Sequence, residues 1–65
     1  MPPAGSYDLA AIQKALAAKG YDSGPTDGLM GPKTRDAIRQ FQGDNGLQVT
    51  GQPSQELQML LTGAP

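Results

Sequence analysis

Apolar residues recur along this chain in three groups at helical spacing, separated by polar segments punctuated with glycine and proline. Leu9, Ile12 and Leu16 form one stripe, and Ala10, Ala11, Ala15, Ala17 and Ala18 around them have high helix propensity. Asp8 is placed to cap this helix, with Ser6 as the competing cap. Gly20 fits the left-handed position that ends a helix, and Tyr21 after it can cover Leu16, so helix one is predicted over about 9–19. Gly31-Pro32 opens helix two, because proline at the first helical position lacks an N–H that would have no partner there anyway. Thr34, Ala37, Ile38, Phe41 and Asn45 then share a face. Gly46 repeats the left-handed stop and Leu47 is expected to fold back on Phe41, which gives a second helix over about 32–45. Gly43 lies inside it at a cost of about 1 kcal/mol relative to Ala. Ser54 caps a third helix over about 55–62, with Leu57, Leu60 and Leu61 as its stripe, Met59 beside it and Gly63 at its end.

Between the first two helices, Ser23 to Met30 reads as an ordered loop. Pro25 fixes one φ angle, while Gly24 and Gly28 allow conformations closed to other residues. Asp27 before Gly28 is placed to accept hydrogen bonds from amides just downstream. Leu29 and Met30 are apolar in a polar loop, so at least one is expected to plug the core. Three short helices, each with one apolar face, can hide those faces only against one another. The expected fold is all-α, a compact three-helix bundle over 9–62 with this Gly/Pro/Asp loop between helices one and two. Residues 1–8 and 63–65 read as linker ends of a module from a longer chain.

Composition narrows the function. At 65 residues there is room for one small domain. The chain has no cysteine and no histidine, which removes disulfides, thiolate metal sites, the commonest metal ligand and the usual general base. A formal charge of −1 argues against a nucleic-acid binder. A DNA-reading helix-turn-helix is further disfavoured by the long connection between helices two and three and by a third helix without a basic residue. No apolar run approaches the roughly 20 residues of a membrane span, so membrane insertion is not expected. Glycoside hydrolysis needs two carboxyl groups flanking one bond in a cleft, whereas Asp8, Asp22, Asp36, Asp44 and Glu56 sit at helix ends or in polar context. Asp22 and Asp27 lack the dense alternating ligands of a calcium loop. No cofactor, no metal and no enzymatic activity are expected of this segment.

The order of residues adds a resemblance. Ile12-Gln13-x-x-Leu16, Gly20-Tyr21, Asp27-Gly28-x-x-Gly31-Pro32-x-Thr34, Ala37-Ile38-x-x-Phe41-Gln42, Asn45-Gly46-Leu47 and Val49-Thr50-Gly51 follow one another. Over about 9–61 the chain closely resembles the peptidoglycan-binding domain found at the ends of bacterial cell-wall hydrolases, amidases and transpeptidase-like enzymes. The resemblance implies a three-helix bundle that attaches non-catalytically to peptidoglycan and targets a tethered catalytic domain to the wall, in the periplasm or cell wall. Met30 stands where that family commonly has an aromatic residue, and Leu57 where Thr is common. Similar folds inhibit secreted metalloproteases through a cysteine, which this chain lacks.

Read with that resemblance, the ligand residues expected are Tyr21, Asp27, Gly28, Met30, Thr34, Arg35 and Gln42, around a shallow groove between the loop and the first two helices. Several have a structural reading beside the functional one. Asp27 can close the loop, Thr34 can organise the first turn of helix two, and Gln13 and Gln42 can hold loop backbone. Arg35 and Arg39, one turn apart, either attract the carboxylates of wall stem peptides or form an ordinary solvated face. The alternative function is a protein–protein interaction domain that kept the fold. Exposure of Leu29 and Met30 together would favour it, whereas a polar groove flanked by Arg35 and the two glutamines would favour wall binding.

Overall fold

The computed structural model describes residues 7–63, which form helices α1 (Leu9–Ala18), α2 (Pro32–Asp44) and α3 (Gln55–Thr62). Both α2 and α3 pack on α1. Ile12 and Leu16 of α1 meet Ala37, Ile38 and Phe41 of α2 and Leu57 and Leu61 of α3 in a single core, and each of these residues is buried. Burying a large aliphatic or aromatic side chain is worth about 1.5–3 kcal/mol, so a core of this size leaves little surplus over chain entropy. Polar bracing therefore matters to this domain.

The helix ends follow the local chemistry closely. The Asp8 carboxylate accepts from the Ala10 and Ala11 amides at 3.1 and 3.4 Å, and the Asp8 N–H donates to Gln58 Oε1 at 2.7 Å. The first contact caps α1, as expected of Asp8, and the second ties that cap to α3. Ser6, the competing cap, and the rest of the expected linker ends at 1–5 and 64–65 lie outside the described residues. The Gly20 N–H donates to Ala17 O and the Tyr21 N–H to Leu16 O, and the same pair of bonds recurs from Gly46 to Gly43 O and from Leu47 to Gln42 O. Both are glycine stops of the kind the sequence predicted, with Gly20 at φ 94° and Gly46 at φ 68°. Asn45 is exposed rather than core-facing, and its Nδ2 donates to Phe41 O at 2.8 Å across the end of α2. Ser54 Oγ accepts from the Leu57 N–H at 3.0 Å and caps α3.

Two packing expectations are corrected. Leu60 is 49% exposed, because α3 points Leu57 and Leu61 inward and Leu60 is turned about 100° from its neighbour Leu61. Neither Leu29 nor Met30 plugs the core: they are 69% and 44% exposed. The space inside the loop is filled by the buried polar side chains of Gln13, Ser23 and Thr34 instead.

Candidate functional site

Gln13 follows Ile12 on α1 and is fully buried, so its amide must find partners inside the protein. Its Oε1 accepts from the Gly28 N–H at 2.9 Å, and its Nε2 donates to Leu29 O at 2.9 Å and to Thr34 Oγ1 at 3.0 Å. Thr34 Oγ1 in turn donates to Ser23 O at 2.8 Å, and Ser23 Oγ donates to the backbone carbonyl of Gln13 at 2.9 Å. The circuit closes on itself and joins α1, the 21–31 loop and the first turn of α2. Asp27 Oδ1 accepts from the Leu29 N–H at 2.9 Å, the tight-turn use expected of Asp before Gly.

Gln42 follows Phe41 on α2 and repeats the device on the 47–54 loop. Its Oε1 accepts from the Thr50 and Gly51 amides at 2.9 and 3.0 Å, and its Nε2 donates to Thr50 Oγ1 at 3.0 Å. The Gln52 N–H closes the turn on the same Thr50 hydroxyl at 3.1 Å. Among the described residues no buried side-chain nitrogen or oxygen lacks a partner.

Two hollows flank these braced loops. One, of about 310 Å³, lies between the end of α2, the 47–54 loop and α3. Gln42, Gln48, Thr50, Gln52 and Ser54 supply uncharged polar groups there, Glu56 supplies one carboxylate, and Leu47, Pro53, Leu57 and Leu60 supply apolar surface. The other, of about 240 Å³, lies against the 21–31 loop between Pro25, Asp27, Leu29, Met30 and Lys33.

The seven expected ligand residues do not converge on one groove. Asp27 and Met30 are exposed at the smaller hollow, with Gly28 beside them, although the Gly28 N–H is already held by Gln13. Thr34 and Gln42 are largely buried and bonded to the loops they brace, yet Thr34 also contributes to the lining of the smaller hollow and Gln42 to that of the larger. Tyr21 is half-buried, its ring edge-on to Phe41 at 5.9 Å, and its hydroxyl donates to Asp44 Oδ2 at 2.6 Å. That hydrogen bond to a carboxylate, with partial desolvation and the negative charge itself, raises the Tyr21 pKa above 10.0. Arg35 is exposed on α2, its side chain running beside Gly51.

Reading along the sequence missed Gln48, Gln52 and Ser54 as a lining set. They are spread over a segment without periodicity, and only the return of the chain onto α3 gathers them. The bracing role of the two glutamines was legible, since each sits one residue past a core apolar residue. Lys33 and Asp22 pair at 3.8 Å on the open surface, a contact worth little in water. Among the described residues there is no group of three or more side chains suited to a metal ion, and no helix long and apolar enough to cross a membrane.

A family model described as "Putative peptidoglycan binding domain" matches residues 5–61. The Synechocystis protein named "Putative OxPP cycle protein OpcA" is 40% identical over 58 residues, which are 89% of this chain and 12% of that protein. The Caulobacter vibrioides protein named "Localization factor PodJL" is 42% identical over 50 residues, 77% of this chain and 5% of that protein. The chain thus spans only a small part of the length of the curated relatives it matches. No solved structure matches it. The helix order, the two glycine stops and a family match over nearly the whole length agree, and the chain belongs to the peptidoglycan binding domain family.

Proposed function

We propose that this domain is a non-catalytic module that holds an attached domain against peptidoglycan, working in the periplasm or at the wall. The observation that carries the reading is the hollow between the 47–54 loop and α3, where amide and hydroxyl side chains stand over leucines on a backbone already fixed by Gln42. An amide-rich polymer with short apolar groups suits such a lining, and a prearranged loop lowers the ordering cost of binding. A shallow site of modest affinity is enough, because tethering multiplies the local concentration of the partner domain. In this reading Arg35, beside the 47–54 loop, is a contact residue, Thr34 and Gly28 act by fixing the first loop, and Gln42 both fixes the second loop and lines the hollow.

Retention on purified, insoluble sacculi tests it. The wild-type domain should sediment with sacculi, and a Gln48→Ala/Gln52→Ala variant, altered only at exposed side chains, should sediment at least several-fold less. Absence of wild-type retention at low salt and high protein concentration would sink the reading. Equal retention of both proteins would keep wall binding and remove it from this hollow.

A second reading is favoured by one observation, the joint exposure of Leu29 and Met30 on the first loop. An apolar pair of this kind suits contact with a partner protein or sister domain. A Leu29→Ser/Met30→Ser variant that folds and still sediments with sacculi separates that surface from wall binding.

A further inference from the structure

Arg35 and Arg39 lie one turn apart on the face of α2 that also carries Gln42, and the loop braced by Gln42 crosses them at Gly51. Gly51 is buried with φ 70°, and a Cβ there would lie 3.0 Å from Arg35 Cγ, 3.0 Å from Arg39 Cγ and 3.2 Å from Arg39 Cδ. Both arginine stems are therefore packed against the loop backbone, which restricts the rotamers of two otherwise flexible side chains. Among the described residues neither guanidinium has a hydrogen bond or an ion pair, although the domain has an acidic balance overall. Two like charges at i, i+4 repel and weaken a helix by about 0.2–0.5 kcal/mol, so the pair is not explained by helix stability. Gly51 lies between Thr50 and Gln52, both of which line the larger hollow, so the arginine stems pack on the very segment that forms its wall.

We infer that Arg35 and Arg39 form a carboxylate receptor beside that hollow, and that the domain reads the stem peptides of peptidoglycan rather than its glycan strand. The inference rests on the wall-binding reading above. Guanidinium groups pair with carboxylates in a bidentate fork, and stems already fixed on Gly51 lose less freedom when they do so. The neighbouring lining fits a peptide as well. Gln48 and Gln52 match backbone amides, and Leu47, Leu57 and Leu60 match the methyl groups of alanine. Sugars are typically held by stacking on an aromatic ring, and the larger hollow is lined by none.

The test uses sacculi in two forms, native and with their carboxyl groups converted to primary amides. It also uses Arg35→Gln/Arg39→Gln, which keeps a carbon at each position packed on Gly51 but removes the charge, with its thermal midpoint checked against wild type. Wild type should bind native sacculi about tenfold more tightly than amidated ones, the size of one charge-assisted contact. The variant should bind both forms at the weak, amidated level. Arg35→Lys/Arg39→Lys should recover part of the preference, since charge returns without the bidentate fork. Equal binding of wild type to native and amidated sacculi, or a folded Gln variant that still prefers native sacculi, overturns the receptor while leaving wall attachment intact. No binding of wild type to native sacculi overturns both.

Discussion

Gln13 and Gln42 do the same chemistry with different reach. Each stands one residue past a buried apolar side chain, Ile12 or Phe41, and each carbonyl oxygen accepts the N–H of a glycine with positive φ, Gly28 at 75° or Gly51 at 70°. Each side-chain nitrogen donates to a threonine hydroxyl, Thr34 or Thr50. Gln42 stops there, fastening a turn only 8 to 9 residues further along the chain. Gln13 reaches 15 to 21 residues and locks one helix, one loop and the start of the next helix together through Thr34 and Ser23. The lesson is that one buried amide can serve as a local clamp or as a tertiary knot. What decides between them is where the chain returns, since the amide has the same donors and acceptors in both places.

Breaking the knot should cost most. Gln13→Leu orphans the Gly28 N–H and the Leu29 carbonyl and strips Thr34 of a donor, at about 3 kcal/mol, or roughly 12–24 °C in the melting midpoint of a domain this size. Gln42→Leu should cost about 2 kcal/mol, because the exposed Thr50 can turn to water. Hydrogen exchange separates the two. The first change should unprotect Gly28 and also loosen the start of α2, whereas the second should unprotect Thr50 and Gly51 alone. Equal losses with the same exchange pattern would erase the distinction.

The glycines sharpen the contrast one level down. Gly28→Ala should cost about 1 kcal/mol, the penalty of a left-handed backbone with a Cβ, because the nearest atom to the new methyl is the Ala10 Cβ at an ordinary 3.9 Å. Gly51→Ala adds a clash with both arginine stems at 3.0 Å and should cost about 2 kcal/mol. It should also displace the guanidiniums and weaken binding to native sacculi, which Gly28→Ala should not. Chemical denaturation of the two variants orders them, and the reverse order would mean that the stems do not pack on Gly51.

Gly43 tests the helix that carries the clamp. Its φ is not in the left-handed region, and a Cβ would meet only Val49 Cγ2 at 4.0 Å. Gly43→Ala should therefore stabilise the domain by about 1 kcal/mol without loosening the 47–54 loop, and a lower melting midpoint would contradict that.

The smallest effect is the pH response of Tyr21. Its pKa is raised in the folded state, first by the hydrogen bond to Asp44, so the native protein holds the phenolic proton more tightly than the unfolded chain does. That contribution is complete below the unfolded value of 10.0 and is lost as pH climbs through the higher folded value. Melting midpoints should therefore fall from about pH 10 upward in the native domain and fall less in Tyr21→Phe, where only the other groups titrate.

The local plan of this protein was written in its sequence. Asp8, Gly31-Pro32 and Ser54 mark the helix starts, and Gly20, Gly46 and Gly63 mark the ends, because caps and left-handed stops are decided by neighbours a few residues away. The buried stripe of α2 was equally legible for Thr34, Ala37, Ile38 and Phe41, since periodicity fixes which residues share a face. It does not say what comes to cover a face or fill a loop, and each misread residue failed at that step. Leu29 and Met30 stayed outside because Gln13, Ser23 and Thr34 already occupied the loop interior. Leu60 missed the core because α3 offers α1 only a narrow stripe. Apart from these misreadings, the 47–54 loop came to rest on Gln42, and the same loop pinned Arg35 and Arg39. Those placements depend on contacts between segments far apart in the chain, which only the folded structure brings together.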